Sequence, residues 1–299
     1  MEILLVGLSH KTTPVKIRER LAFPQNRVGD ALMQLRQMNG DPQADLVEVV
    51  ILSTCNRVEI YAVSRNAERA ARRVISFLSD FHQIHLEEFQ DTLYTRMNQS
   101  AVDHLFRVAS GIDSMVIGEG QIQGQVKQAL DLAHQYGASG PILSALFANA
   151  LHVGKRARTE TEINQHSLSI SGAAVNLVRS QFPDLSEVNI VIVGLGEMSL
   201  IAIKSLLHAG AKEVTVVNRS RERIQNIVQQ FAVRALPFDR LEQSVTEADV
   251  VICSTGAPHA ILTFDAMQQV MKQRTDRPLL IVDIAVPRDV EPEVGTLPH

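Results

Sequence analysis

A chain of 299 residues is long enough for two domains of ordinary size. With 45% hydrophobic and 21% charged residues it has the composition of a globular protein, which excludes a disordered or collagen-like chain. Lys and Arg number 29 against 33 Asp and Glu, so the net charge of -4 exerts no overall pull on polyanions and argues against a dedicated DNA binder. Residues 3–8 are a short apolar run behind Glu2, where a signal peptide would carry basic residues, and they predict a strand. Val28, Ala31, Leu32, Leu35 and Met38 then recur at helical spacing up to the breaker run Asn39-Gly40-Asp41-Pro42. Two β-rich runs follow at 46–52 and 58–63. After them come a helix with Ala70, Val74, Phe77, Leu78 and Phe81 on one face, and a last strand near 92–95. The order βαββαβ predicts a ferredoxin-like antiparallel sheet with two helices on one face.

From residue 101 to about 182 the pattern is helical, with Val102, Leu105, Phe106 and Ala109 as one apolar stripe and Val126, Ala129, Leu130 and Ala133 as another. Within it lies the one local basic cluster, His152-Val153-Gly154-Lys155-Arg156-Ala157-Arg158, either a solvated helix face or a contact for RNA phosphate. Beyond it, residues 189–193, 213–217, 249–253 and 279–284 are Val- and Ile-rich runs without two-residue alternation, as in strands covered on both faces. Helical segments separate them, which predicts a doubly wound parallel sheet with right-handed crossovers. The expected division is an N-terminal catalytic or substrate domain over 1–159 and a Rossmann-like dinucleotide domain over 160–299. No apolar stretch approaches the ~20 residues of a membrane helix. Cys55 and Cys253 are the only cysteines and show no metal-like spacing. A cytoplasmic, reducing setting is therefore expected, with no disulfide framework, bound metal or membrane anchor.

The run ending at Val193 leads into Gly194-Leu195-Gly196-Glu197-Met198-Ser199 and then the helical pattern Leu200, Ile203, Leu206, Leu207. Between a strand and a helix, glycines let the backbone approach a pyrophosphate and the helix N-terminus offers free N–H groups; the alternative is a plain tight turn. Ser199 replaces the third glycine, so the helix is expected slightly farther from the strand. At the end of the next strand, Asn218-Arg219-Ser220 puts a guanidinium where an acidic residue would bind a ribose 2′-hydroxyl, which favours NADP(H).

Cys55 lies in Ser53-Thr54-Cys55-Asn56-Arg57, between two strand patterns, with a cation two residues on that would favour a thiolate nucleophile. The plainer reading is a small buried residue, and Cys253, inside Val250-Val251-Ile252-Cys253, fits that reading. His104, among Val102, Leu105 and Phe106, is either a core-edge imidazole or a base or orienting group near a thiol. Ser114, Glu119, Gln121 and Gln125, interrupted by Val116-Ile117-Gly118, either line a substrate pocket or are solvated.

Taken in order, these segments resemble the glutamyl-tRNA reductase family. The resemblance rests on Gly7-Leu8-Ser9-His10-Lys11-Thr12-Thr13-Pro14-Val15, on Leu52-Ser53-Thr54-Cys55-Asn56-Arg57-Val58-Glu59-Ile60-Tyr61 and on His104-Leu105-Phe106-Arg107-Val108-Ala109-Ser110-Gly111. Gly118-Glu119-Gly120-Gln121-Ile122, Lys155-Arg156-Ala157-Arg158-Thr159-Glu160-Thr161 and Asp283-Ile284-Ala285-Val286-Pro287-Arg288-Asp289 continue it. It implies an NADPH-dependent reduction of glutamyl-tRNA to glutamate-1-semialdehyde through a cysteine thioester, the first step of tetrapyrrole synthesis. It also implies that Cys55 is the nucleophile, that His104 supports activity, and that Thr54, Asn56, Arg57, Ser114, Glu119, Gly120, Gln121 and Gln125 bind substrate. Gly194 to Ser199 would carry NADPH, and Arg57 could hold the substrate carboxylate in bidentate fashion.

Two departures stand out. The family continues into a long helix and a dimerisation domain, which this chain is expected to lack, so a homodimer is expected of the full-length family rather than of this chain. Residues 165–171 (Gln165-His166-Ser167-Leu168-Ser169-Ile170-Ser171) also depart from the family's smaller pattern. Glutamyl-tRNA is the implied macromolecular substrate, and glutamate-1-semialdehyde aminomutase is a candidate partner. The competing readings are a shikimate-type NADP dehydrogenase indifferent to Cys55 and a non-catalytic tRNA-binding fragment.

Overall fold

The computed structural model describes residues 1–37, 46–164, 170–274 and 277–299. Met38, the breaker run at 39–42 and the departure at 165–169 lie outside the described residues. The chain forms two units, Met1–Leu168 and Ser169–His299. Among the described residues no helix is long and apolar enough to cross a membrane.

The first unit is built on strands β1 (Glu2–Ser9), β2 (Glu48–Ser53), β3 (Arg57–Ser64) and β4 (Tyr94–Met97), in the spatial order β2-β3-β1-β4. Every pairing is antiparallel, with Leu5 opposite Tyr61 and Gly7 opposite both Glu59 and Tyr94. That is the ferredoxin-like order expected from βαββαβ. Helices α1 (Val15–Leu21), α2 (Gln25–Gln37) and α3 (Ala67–His82) fill the connections. The short α1 went unread in the sequence because its seven residues complete barely two turns of periodicity. The helical stretch then folds over the remaining face as α4 (Gln99–Ala109), α5 (Gln121–Gln135) and α6 (Pro141–Glu160). This layer packs Phe147 edge-on to Tyr61, with ring centroids 5.3 Å apart, and leaves β3 buried along its whole length. Glu48 on β2 fastens it, accepting the Ile142 and Leu143 amides at 3.0 and 2.6 Å, where an α-helix leaves N–H groups without partners.

The second unit begins with α7 (Ile170–Gln181) and alternates strand and helix: β5 (Ile190–Val193), α8 (Glu197–His208), β6 (Val214–Asn218), α9 (Arg221–Gln230), β7 (Arg234–Pro237), α10 (Leu241–Glu247), β8 (Val250–Cys253), α11 (Phe264–Gln273) and β9 (Leu280–Asp283). The strands lie in the order β7-β6-β5-β8-β9 and all pair in parallel. Successive residues of each central strand enter opposite cores. Ile190, Ile192, Val214, Val216, Val250 and Ile252 join one, and Val191, Val193, Val217, Val251 and Cys253 the other. Burial on both faces explains the unbroken apolar runs. β7, a four-residue edge strand with exposed ends and no buried position, gave no such signal.

Candidate active site

Cys55 stands in the tight turn joining β2 to β3. The turn closes through the Thr54 amide on the Arg57 carbonyl at 2.8 Å, and Thr54 Oγ1 accepts the Asn56 and Arg57 amides at 3.2 Å each. Arg18 on α1 reaches the Cys55 carbonyl at 2.5 Å, and the His10 amide donates to the Asn56 carbonyl at 2.8 Å. The backbone around the sulfur is thus held from both sides. Cys55 itself is half-buried, and Cys253 is fully buried in the second unit's core.

Below the turn, Glu59 is wholly buried. Its Oε1 accepts from Arg57 at 2.6 Å, Tyr94 at 2.7 Å and His104 at 2.7 Å, and its Oε2 accepts from Tyr61 at 2.7 Å. Burial opposes the carboxylate, but the Arg57 charge and the donated hydrogen bonds outweigh it and hold Glu59 well below the usual carboxylate range. An ionised carboxylate only accepts, so His104 presents Nε2–H to it. Gly7 makes the room: a β-carbon there would lie 2.9 Å from Glu59 and 3.1 Å from Tyr94.

Arg57 corrects one expectation. Only 1% exposed, it gives one terminal nitrogen to Glu59 and the other to the Asp113 carbonyl at 2.6 Å, and so does not stand as an open fork for a substrate carboxylate. A buried guanidinium needs partners of its own. The expected thiolate is also not what the environment favours. Burial first, then the Glu119 charge, push the Cys55 thiol up to about 11, and Arg18 and Arg57 only partly offset them.

The loop from Ser110 to Gly120 carries the next group. Ser114 and Glu119 turn inward and are buried, with the Ser114 hydroxyl beside the Glu119 carboxylate, whose pKa is raised chiefly by burial. Asp113 pairs with Lys11 at 2.5 Å. Gly120 is the N-cap of α5, and Gln121 and Gln125 sit one helical turn apart on it, half-buried. The structure therefore gathers Arg57, His104, Ser114 and Glu119 around the turn that bears Cys55, with His104 linked to it through Glu59. Sequence reasoning missed Glu59, Tyr61, Tyr94 and His10. His10 Nδ1 and Asn56 Nδ2 are buried without a hydrogen-bond partner among the described residues.

In the second unit, Gly194 ends β5 with φ +101°, and a β-carbon there would lie 2.6 Å from the Ser254 carbonyl oxygen. Around Gly196 there is open space, and α8 starts beside it with no side-chain cap. That is the arrangement a pyrophosphate requires. Leu195 is buried, Glu197 is exposed and Met198 is half-buried, its carbonyl accepting from Ser171 at 2.8 Å. Ser199 is fully buried with Oγ 3.5 Å from the Ser254 carbonyl, so the third position accommodates a hydroxyl. A cavity of about 270 Å³ opens at the carboxyl ends of these strands, lined by Gly194, Asn218, Arg219, Phe238 and Thr255 among others. The Arg219 guanidinium lies 4.7 Å over the Phe238 ring. Ser220 caps α9, its hydroxyl accepting the Arg223 amide at 3.3 Å. Asp289, fully buried, fixes Thr255 by accepting its amide at 2.7 Å and its hydroxyl. Asp283 accepts three amides, from Ala285, Asp289 and Val290, and burial still raises it to about 6.

Fold and site together define a two-unit α/β chain with a thiol on a braced turn in one unit and a dinucleotide-type crevice in the other. Residues 6–161 match the family model described as glutamyl-tRNAGlu reductase, N-terminal domain, and residues 176–299 match that of shikimate / quinate 5-dehydrogenase. The glutamyl-tRNA reductase of Desulfitobacterium hafniense is 43% identical over 294 residues, covering 98% of this chain and 65% of that protein. That of Trichlorobacter lovleyi is 43% identical over 297 residues, covering 99% and 67%. A solved glutamyl-tRNA reductase from Methanopyrus kandleri is 35% identical, with coverage of 99% and 69% and a TM-score of 0.49. The chain belongs to the glutamyl-tRNA reductase family, and it spans 65–67% of the length of the two sequence relatives.

Proposed function

We propose that this chain carries the catalytic and cofactor-binding parts of an NADPH-dependent glutamyl-tRNA reductase. The observation that carries the reading is Cys55 on a turn braced by Arg18 and Thr54 above the Arg57–Glu59–His104 network, in a chain of this family. The Cys55 sulfur attacks the glutamyl ester carbonyl, the bond to the tRNA ribose oxygen breaks, and the proton lost by the thiol ends on that oxygen. The glutamyl group is then a thioester on Cys55. Held by Gly194 to Ser199, NADPH would supply a hydride, which a thioester carbonyl accepts and a free carboxylate would not. The reduced adduct on Cys55 takes one proton from solvent water, its C–S bond breaks, and glutamate-1-semialdehyde and the free thiol result.

We assign Asn56 Nδ2 as the donor facing the substrate carbonyl, and Thr54, Ser114, Glu119, Gly120, Gln121 and Gln125 as the surrounding pocket. His104 keeps the Glu59 network, and so Arg57, in place. Gly194 to Ser199 would hold the pyrophosphate, and Asn218, Arg219 and Ser220 the adenosine end. Domain roles follow, with residues 1–159 for substrate and 160–299 for cofactor. A cytoplasmic setting suits two free thiols, and glutamyl-tRNA, a second copy and an aminomutase are the partners this reading implies. The shikimate-type match is confined to residues 176–299 and does not bear on the first unit's substrate.

The test is turnover of glutamyl-tRNA with NADPH, quenched midway and examined by mass spectrometry. A glutamyl adduct on Cys55, absent in Cys55→Ser together with all aldehyde formation, is expected. Undiminished turnover by Cys55→Ser would remove the mechanism.

A further inference from the structure

We propose that Arg158, near the end of α6, is a positioning residue for this site: its guanidinium grips the Gly118–Gly120 backbone and keeps Glu119 against the Cys55 turn. Helix α6 comes close enough because of Gly154, where a β-carbon would collide with the Ala109 carbonyl oxygen and Gln123. Arg158 follows one turn later on the same face. It donates to the Glu119 carbonyl and, at 3.4 Å, to the Gly118 carbonyl. A β-carbon on Gly120 would stand 3.2 Å from its other terminal nitrogen, so the guanidinium lies along three successive residues.

The loop it grips is closed at its neck. Gly111 and Gly118 have φ of +77° and +81°, the Gly118 amide donates to the Gly111 carbonyl at 2.9 Å, and a β-carbon on Gly111 would lie 3.1 Å from Gly118 Cα. On one side the loop is pinned by Arg57 on the Asp113 carbonyl and Lys11 on the Asp113 carboxylate. Arg158 pins the other side, where Glu119 lies. For two of its cations this also bears on the basic cluster, which the sequence left open between a solvated helix face and a phosphate contact. Arg156 is paired with Glu160 at 2.8 and 3.0 Å, and Arg158 faces inward.

The proposal rests on Cys55 as the reacting thiol and can be tested without tRNA. The charged groups that influence Cys55 are Glu119, Arg18 and Arg57. The measurement is the rate of Cys55 alkylation by iodoacetamide against pH in the whole chain, with the modified peptide identified by mass. Releasing Glu119 in Arg158→Gln should lower the midpoint by about one unit, close to a tenfold faster reaction at pH 8. Arg158→Lys, with one compact ammonium in place of a fork, should fall between, and Arg156→Gln should superimpose on the unaltered protein. Should Arg158→Gln lose its circular dichroism signal, Arg158→Lys carries the test. A superimposable profile in the folded Arg158 variant overturns the proposal. So does an unchanged profile combined with a raised KM and a flatter salt dependence toward glutamyl-tRNA, the mark of a phosphate contact. Positioning predicts a fall in kcat. If no form of the chain turns over glutamyl-tRNA, the functional reading fails while the alkylation result still decides the role of Arg158.

Discussion

Glu59 shows how much one buried carboxylate organises. Four side chains from β3, β4 and α4 converge on it, and it is the nearer of the two carboxylates that pair with Arg57, at 2.6 Å against 3.7 Å for Asp113. Glu59→Gln should cost about 3 kcal/mol in a urea melt, because it leaves a buried guanidinium with only the more distant Asp113 carboxylate, whereas Tyr94→Phe should cost about 1 kcal/mol. The pH sign follows from the depressed carboxylate. Its contribution is complete above the unfolded value of about 4.3 and declines as the pH falls below it, so Glu59→Gln should flatten the acid limb of the stability curve. An acid limb as steep in the variant as in the unaltered protein would show that other groups set it.

At the scale of an element, α3 carries a second titrating group far from the chemistry. His82 packs against Phe23 and Phe81, with ring centroids 4.6 and 5.1 Å away, and its Nε2 is buried without a partner among the described residues. Burial, then the charge of Arg27, push the imidazole down to about 4. The unfolded chain takes up a proton near pH 6.5 and the folded one does not. Stability of the first unit should therefore fall as the pH drops from about 6.5 to 4, by at most ~3 kcal/mol. Urea melts at pH 7 and 5 check this, and His82→Leu should remove most of the difference. The cations of α6 show why an element has to be placed before its charges are interpreted. Along the chain Lys155, Arg156 and Arg158 look like one patch, but on the helix Arg156 meets Glu160 and Arg158 meets the loop.

For the whole molecule, each unit has its own core, one in the first and two in the second, on either side of its parallel sheet. NADPH at about 100 times its Kd should stabilise whatever binds it by about 2.7 kcal/mol. Calorimetry should show that gain in the second unit's transition alone, and Arg219→Gln should reduce the advantage of NADPH over NADH. An equal gain in a transition assigned to the first unit would overturn the division of labour.

The strands of the first unit, the four apolar strands of the second, the glycine turn at 194–196 and the placing of Cys55 between two strands could be read along the chain, because periodicity and turn residues are local properties, whereas the short edge strand β7 could not. Nor could the network below Cys55. His104 and Tyr94 reach Glu59 across 45 and 35 positions, and nothing within a few residues of Glu59 marks it as their meeting point. The state of the thiol was hidden for the same reason. A cation two residues away suggested a thiolate, but burial and the charge of Glu119, brought in by a distant loop, outweigh it. Local pattern thus determined the elements and the reactive residue types. Only tertiary packing decided which charges are desolvated and paired, because desolvation depends on what folds over a side chain and not on its neighbours in sequence.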